Sequence, residues 1–256
     1  MENLTINEYI KKKLDDTYLA IFAIKNEVNI KKGECIEQNY IYTFVGIDKK
    51  GFRQLINVYQ EKTSNSRYWL DVFESLKARG LKNVLFISVD DNKNLKRTAK
   101  IAFPNVVFVD SMTDIMPLFY KYTSTINQRC VGTRLIKLYL SNSINDYKVS
   151  LEMFKKEFNN SIHQKLIKKY LVNVEALYKY SINIRKLLYS YSANISLYDK
   201  IRLTFNHHKN YINDLNEIFD KIGDINKYFG FNSFKKKQWT NILNDLIQLY
   251  PNIDFI

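Results

Sequence analysis

Residues 80–104 read GLKNVLFISVDDNKNLKRTAKIAFP. Within them, residues 84–89 form a nearly continuous apolar run, the pattern of a strand buried on both faces of a sheet. The run ends on the paired carboxylates Asp90 and Asp91, and a helical segment over 93–103 follows and stops at Pro104. Lys93, Lys96, Arg97 and Lys100 recur at helical spacing and make a cationic stripe. An acid at the end of a buried strand can hold a hard metal ion rigidly, and a cationic helix beside it suits a phosphate backbone. The stretch points to nucleic-acid chemistry.

Upstream, residues 18–24 (YLAIFAI) and 40–47 (YIYTFVGI) are rich in aromatic and β-branched side chains, and 52–60 (FRQLINVYQ) is more polar but still β-biased. Asp48, Lys49, Lys50 and Gly51 separate the last two as a short hairpin loop whose glycine takes a left-handed conformation. Three antiparallel strands are expected. A helix follows with Ser64 or Ser66 as N-cap, Trp69, Leu70, Phe73 and Leu76 at helical spacing, and Gly80 at its end. Trp69 falls on the apolar face and reads as core rather than as a platform for stacking bases. Downstream, residues 106–110 (VVFVD) predict a fifth strand.

Beyond Tyr122 the strand signal disappears, and residues 125–222 carry 3.6-residue periodicity with Lys, Asn and Tyr between the apolar positions. Residues 223–230 break this pattern, 235–249 predict a last helix, and Pro251 ends it.

The 256 residues suffice for one large domain, or a core with an appended module. Lys+Arg 39 against Asp+Glu 26 gives a formal charge of +13, which favours polyanions. An AT-biased genome, rich in Lys, Asn, Ile and Tyr, would produce part of the same charge. Cys35 and Cys130 have no metal-ligand spacing and read as reduced, buried thiols of an intracellular protein. His163, His207 and His208 form no catalytic or zinc pattern. No apolar run approaches the ~18 residues that cross a bilayer, so no membrane association and a cytoplasmic location are expected. Phosphate-binding glycine loops, nucleophile elbows and dinucleotide fingerprints are absent from the sequence, which argues against kinases, hydrolases and dehydrogenases.

The order of three antiparallel strands, helix, strand, helix, strand is that of an α/β, RNase H-like five-stranded mixed sheet with flanking helices. Over residues 43–105 the chain also resembles the catalytic core of Mutator-type bacterial insertion-sequence transposases. The shared succession is a strand ending in G-I-D, a glycine turn, a polar strand, and a helix with S-x-x-Y-W-x-x-V. An R-G-L turn, V-D-D-N-K-N-L in place of the family's V-D-G-x-K-G-L, and a helix ending in F-P complete it. LDDTYLAIF, residues 14–22, resembles the family's first strand, and residues 173–202 resemble its later N-x-E-x-L, I-R-K and A-I-E-S-L-N segments.

That resemblance implies DNA transposition by strand cleavage and transfer, with two Mg²⁺ ions held between carboxylates and a homo-oligomer assembled on DNA. It places catalytic, metal-holding acids on Asp15 and Asp90. Lys93, Lys96, Arg97, Lys100, Arg185, Lys186 and Arg202 are the expected DNA contacts. The organisation it implies is a core over 1–122, a helical insertion over 123–194, a returning core helix over 195–222, and a helical tail over 223–256. Departures are specific. The third acid, a glutamate, falls on Ile195; the family's C-x-x-H falls on Ser111 and Asp114; and the chain starts almost at the first acid, as in an N-terminally truncated relative. Isoleucine cannot ligate Mg²⁺, and Asp199 or Glu175 would have to substitute, so impaired catalysis is expected. The alternative is a catalytically inactive, transposase-derived DNA-binding or interaction protein.

Overall fold

A computed structural model describes residues 11–61, 65–110, 112–192, 211 and 236–255. The chain divides into two compact units: of the described residues, the first holds those through Val109 with 211, 236–239 and 252–255, and the second those from Asp110 through 192 with 240–251.

In the first unit, β1 (Thr17–Lys32), β2 (Cys35–Asp48), β3 (Arg53–Glu61), β4 (Asn83–Ser88) and β5 (Val107–Val109) form one sheet in the order β3-β2-β1-β4-β5. The β1–β2 and β2–β3 pairs are antiparallel, whereas β1–β4 and β4–β5 are parallel. With α1 (Ser66–Ala78) and α2 (Lys93–Ala102), this is the expected RNase H-like arrangement. One sheet face presents Tyr18, Ile21, Ala23, Tyr42, Phe44, Ile87 and Val89 to Trp69, Phe73 and Leu76 of α1 and Leu95 and Ala99 of α2. Phe44 stacks on Trp69 at 6.2 Å, Tyr42 meets Trp69 edge-on at 4.9 Å, and Phe73 meets Phe103 at 5.9 Å. Fully burying each such side chain contributes about 1.5–3 kcal/mol, so this aromatic layer fixes how α1 seats on the sheet.

The cap of α1 falls between the two expected serines. Asn65, not a serine, accepts the amide of Tyr68 at the head of α1, and Asn92 accepts that of Leu95 at the head of α2. Gly51 takes the predicted positive φ, +83°, in the β2–β3 turn. Gly46 serves close approach instead: a Cβ there would lie 2.4 Å from Tyr18 Cδ1, so only glycine lets that ring lie across β2.

Strands β1 and β2 are far longer than 18–24 and 40–47. Beyond the sheet, Glu27–Lys32 of β1 pairs with residues 35–40 as a two-stranded ribbon turning at Gly33. Val28 and Ile30 alternate into its buried side. The thiols also differ from expectation. Both are free, but Cys35 is exposed on this ribbon, and Cys130 is half-buried with its thiol donating to Glu157.

The second unit comprises α3 (Met112–Lys121), α4 (Thr125–Leu140), α5 (Ile144–Glu157) and α6 (Ser161–Leu166), then a π turn and a 3₁₀ segment through Lys179. It continues with α7 (Ile182–Ser192), and the C-terminal helix α8 (Lys236–Leu249) adds residues 240–249. His163 is buried, stacked on Phe119, and hydrogen-bonded to Thr123 and Asn160, a packing role. The break expected at 223–230 lies outside the described residues, as do His207 and His208.

Candidate nucleic-acid interface

Asp90 stands two residues past the end of β4, and its two oxygens are fully engaged. The Tyr42 hydroxyl, from β2, lies 3.3 Å from both; the Asn92 amide donates to Oδ1 at 3.2 Å; and the Lys25 ammonium, from β1, pairs with Oδ2 at 3.3 Å. The same ammonium lies 4.0 Å from the face of the Tyr40 ring. Asn92 Nδ2 donates to the Tyr42 oxygen and to Glu61 at 3.0 and 2.9 Å, and the Trp69 indole N–H also donates to Glu61. Burial, with the Asp90 carboxylate adding to it, pushes the Tyr42 phenol well above its ordinary range, so it stays a hydrogen-bond donor. Because Asn92 caps α2, Asp90 is not spent on the helix terminus.

Asp15 is at the other end of the sheet. Strands β1 and β4 run parallel, with Thr17 level with Asn83 and Phe22 level with Ser88. An acid before β1 therefore lies beside the start of β4, and an acid after β4 lies beside residues 24–25 of β1. At the rise of a strand the separation is roughly 25 Å, far beyond the ~4 Å between paired metals. In this register the two expected metal-holding acids, Asp15 and Asp90, are not brought together. Asp15 accepts from Gln54 Nε2, which also donates to Asp48, each at 2.9 Å, while Tyr18 donates to Gln54 Oε1.

Asp48, buried at the end of β2, accepts the amides of Lys50 and Phe52 at 2.8 Å and so holds the turn. Its carboxyl is raised above the usual range, chiefly by burial and also by Asp15, against the lowering effect of those hydrogen bonds. A folded-state pKa above the unfolded one gives a contribution that is full in acid and lost as pH rises through the folded value. Asp48→Asn should therefore compare more favourably with wild type at pH 7 than at pH 4 in thermal denaturation; a difference independent of pH would contradict this.

On α2, Lys93, Arg97 and Lys100 are exposed and Lys96 is half-buried. Lys93 and Arg97 have no carboxylate partner among the described residues, while Lys100 donates to the Val106 carbonyl at 3.0 Å. Arg185, an expected DNA contact, is turned into the second unit. It is buried, its Nη1 donates to the carbonyls of Tyr139 and Ser141 at 2.9 Å each, and its guanidinium lies 4.0 Å from the Tyr178 ring centre. Lys186 is exposed, Glu175 pairs with Lys148, and Arg202, Ile195 and Asp199 lie outside the described residues.

Among the described residues, no three His, Cys, Asp or Glu side chains are grouped to hold a metal ion. With Asp15 remote and Asp90 paired to an ammonium, the described residues do not fit a two-metal centre. No helix of the described residues is long and apolar enough to cross a membrane.

A 3-2-1-4-5 mixed sheet flanked by helices, with an acid just past β4, is the RNase H-like arrangement. The description "Transposase, Mutator family" matches over residues 2–216. The chain belongs to the Mutator family of transposases. It is 20% identical over 200 residues to the transposase for insertion sequence element ISRM3 of Rhizobium meliloti (strain 1021), covering 77% of this chain and 50% of that protein. It is 23% identical over 111 residues to the transposase for insertion sequence element IS1201 of Lactobacillus helveticus, covering 43% and 30% respectively. The chain spans about half the length of the first curated relatives it matches.

Proposed function

We propose that this chain is the DNA-binding core of a Mutator-type transposase in which cleavage and transfer of DNA strands are impaired. The observation that carries the reading is the stripe on α2, which begins three residues after Asp90 and exposes Lys93 and Arg97 without counter-ions among the described residues. Such contacts fix position along a phosphate backbone without reading bases. Impairment is supported by the separation of Asp15 from Asp90 and by isoleucine at position 195, where the family has a glutamate. The family's metal dependence and its assembly into homo-oligomers on DNA belong to the same reading and rest on family membership alone.

Fluorescence anisotropy with a labelled DNA duplex between 50 and 200 mM salt tests it. The logarithm of affinity should fall linearly with the logarithm of salt concentration, and Lys93→Ala/Arg97→Ala should reduce that slope by about 1.8, about 0.9 per phosphate contact removed. An unchanged slope in the double variant, or no binding by the wild-type chain, would refute the reading.

A further inference from the structure

We propose that Lys25 acts as a built-in cation at Asp90, taking the position on the carboxylate that a divalent ion would need. This rests on the reading of Asp90 as the acid past the fourth strand of a transposase core, and it goes beyond the loss of a third acid. The parallel register carries β1 past the end of β4, so the β1 residues nearest Asp90 are those that follow Phe22. On the face toward α1 and α2 these are Ala23, a core residue, and Lys25; neither supplies a carboxylate.

The ammonium is held from several sides. Asp90 Oδ2 is 3.3 Å away, the Tyr40 ring faces it at 4.0 Å, and the Tyr42 ring is at 5.8 Å. Both members of the pair are largely shielded, with side chains 32% and 24% exposed, so the pairing is stronger than one between fully exposed groups. Glu61 is the second carboxylate of the cluster, tied to Asp90 through Asn92 and the Tyr42 hydroxyl. Lys25 thus offsets one of two negative charges. A metal ion reaching the same oxygen would meet the ammonium at a few ångströms, and like charge at that distance keeps it out. Without the ammonium, Asp90 would keep an uncompensated charge beside the Tyr42 hydroxyl, with Glu61 one Asn92 amide away, hard oxygen donors of the kind Mg²⁺ or Mn²⁺ takes.

Mn²⁺ titration of the full chain, without DNA and read by electron paramagnetic resonance, tests the proposal on wild type, Asp90→Asn, Lys25→Met and Lys25→Met/Asp90→Asn. Wild type and Asp90→Asn should bind Mn²⁺ alike, whereas Lys25→Met should bind at least tenfold more tightly and lose that gain when Asp90 is also replaced. Lys25→Gln, which keeps the side-chain length and a donor, takes the place of Lys25→Met if circular dichroism shows that the methionine variant does not fold. Mn²⁺ binding by wild type that Asp90→Asn abolishes, or no gain on removing Lys25, overturns the proposal. Because no DNA is present, failure here leaves the anisotropy result standing, and failure there leaves this one standing.

Discussion

Replacing Trp69 by alanine is expected to remove about 3–5 kcal/mol from the stability of the sheet-bearing unit, the range for deleting a fully buried large aromatic. Trp69 is 0% exposed and packs against Phe44, Tyr42 and Tyr68, so the cavity left behind would be walled by rings that cannot all collapse into it. The indole N–H that donates to Glu61 would also be lost, loosening the side chains that hold Asn92 beside Asp90. Denaturant unfolding followed by circular dichroism gives the stability change. DNA affinity measured well below the melting temperature should be nearly unchanged, since stacking on a base would require an exposed ring. A stable variant with sharply weakened DNA binding would contradict the core assignment.

Arg185→Ala should cost about 3 kcal/mol in the second unit, combining hydrogen bonds from a charged donor with a buried contact on an aromatic face. The guanidinium satisfies two carbonyls where α4 ends at Ser141, a place where positive charge also complements the helix dipole. Truncation would leave both oxygens short of a donor. Thermal unfolding should show the loss, while the salt dependence of DNA binding keeps the wild-type slope. The reverse pattern, intact stability with a reduced slope, would return Arg185 to the DNA surface. Arg185→Lys should recover little, because an ammonium cannot reproduce the planar fork over the Tyr178 ring.

The element order was legible because β4 and α2 carry unambiguous patterns: an unbroken apolar run, then a stripe with Leu95 and Ala99 buried opposite the cations. The ribbon was not. KNEVNIKKGECIEQNY offers Val28 and Ile30 as its buried apolar pair, amid charges that read as loop, although alternation about Gly33 was present. The short local match that sets the family's first acid on Asp15 carries no information on distance, whereas in the parallel register an acid preceding β1 is remote from one following β4. Arg185 stands beside Ile184 and three residues before Leu188, on an apolar face, which is a signal for a buried role. Lys25, Tyr42 and Glu61 come from three different strands, and their convergence on Asp90 depends on pairing register that no single segment contains.

Spin labels at positions 15 and 91, in a chain with Cys35 and Cys130 changed to serine, would report the distance between the two ends of the parallel pair by double electron–electron resonance. With β1 and β4 in the register described, the mean separation should be roughly 25 Å. A distribution centred near 10 Å would bring the two acidic ends together, restore a shared metal site, and contradict the assignment of Asp90 to Lys25.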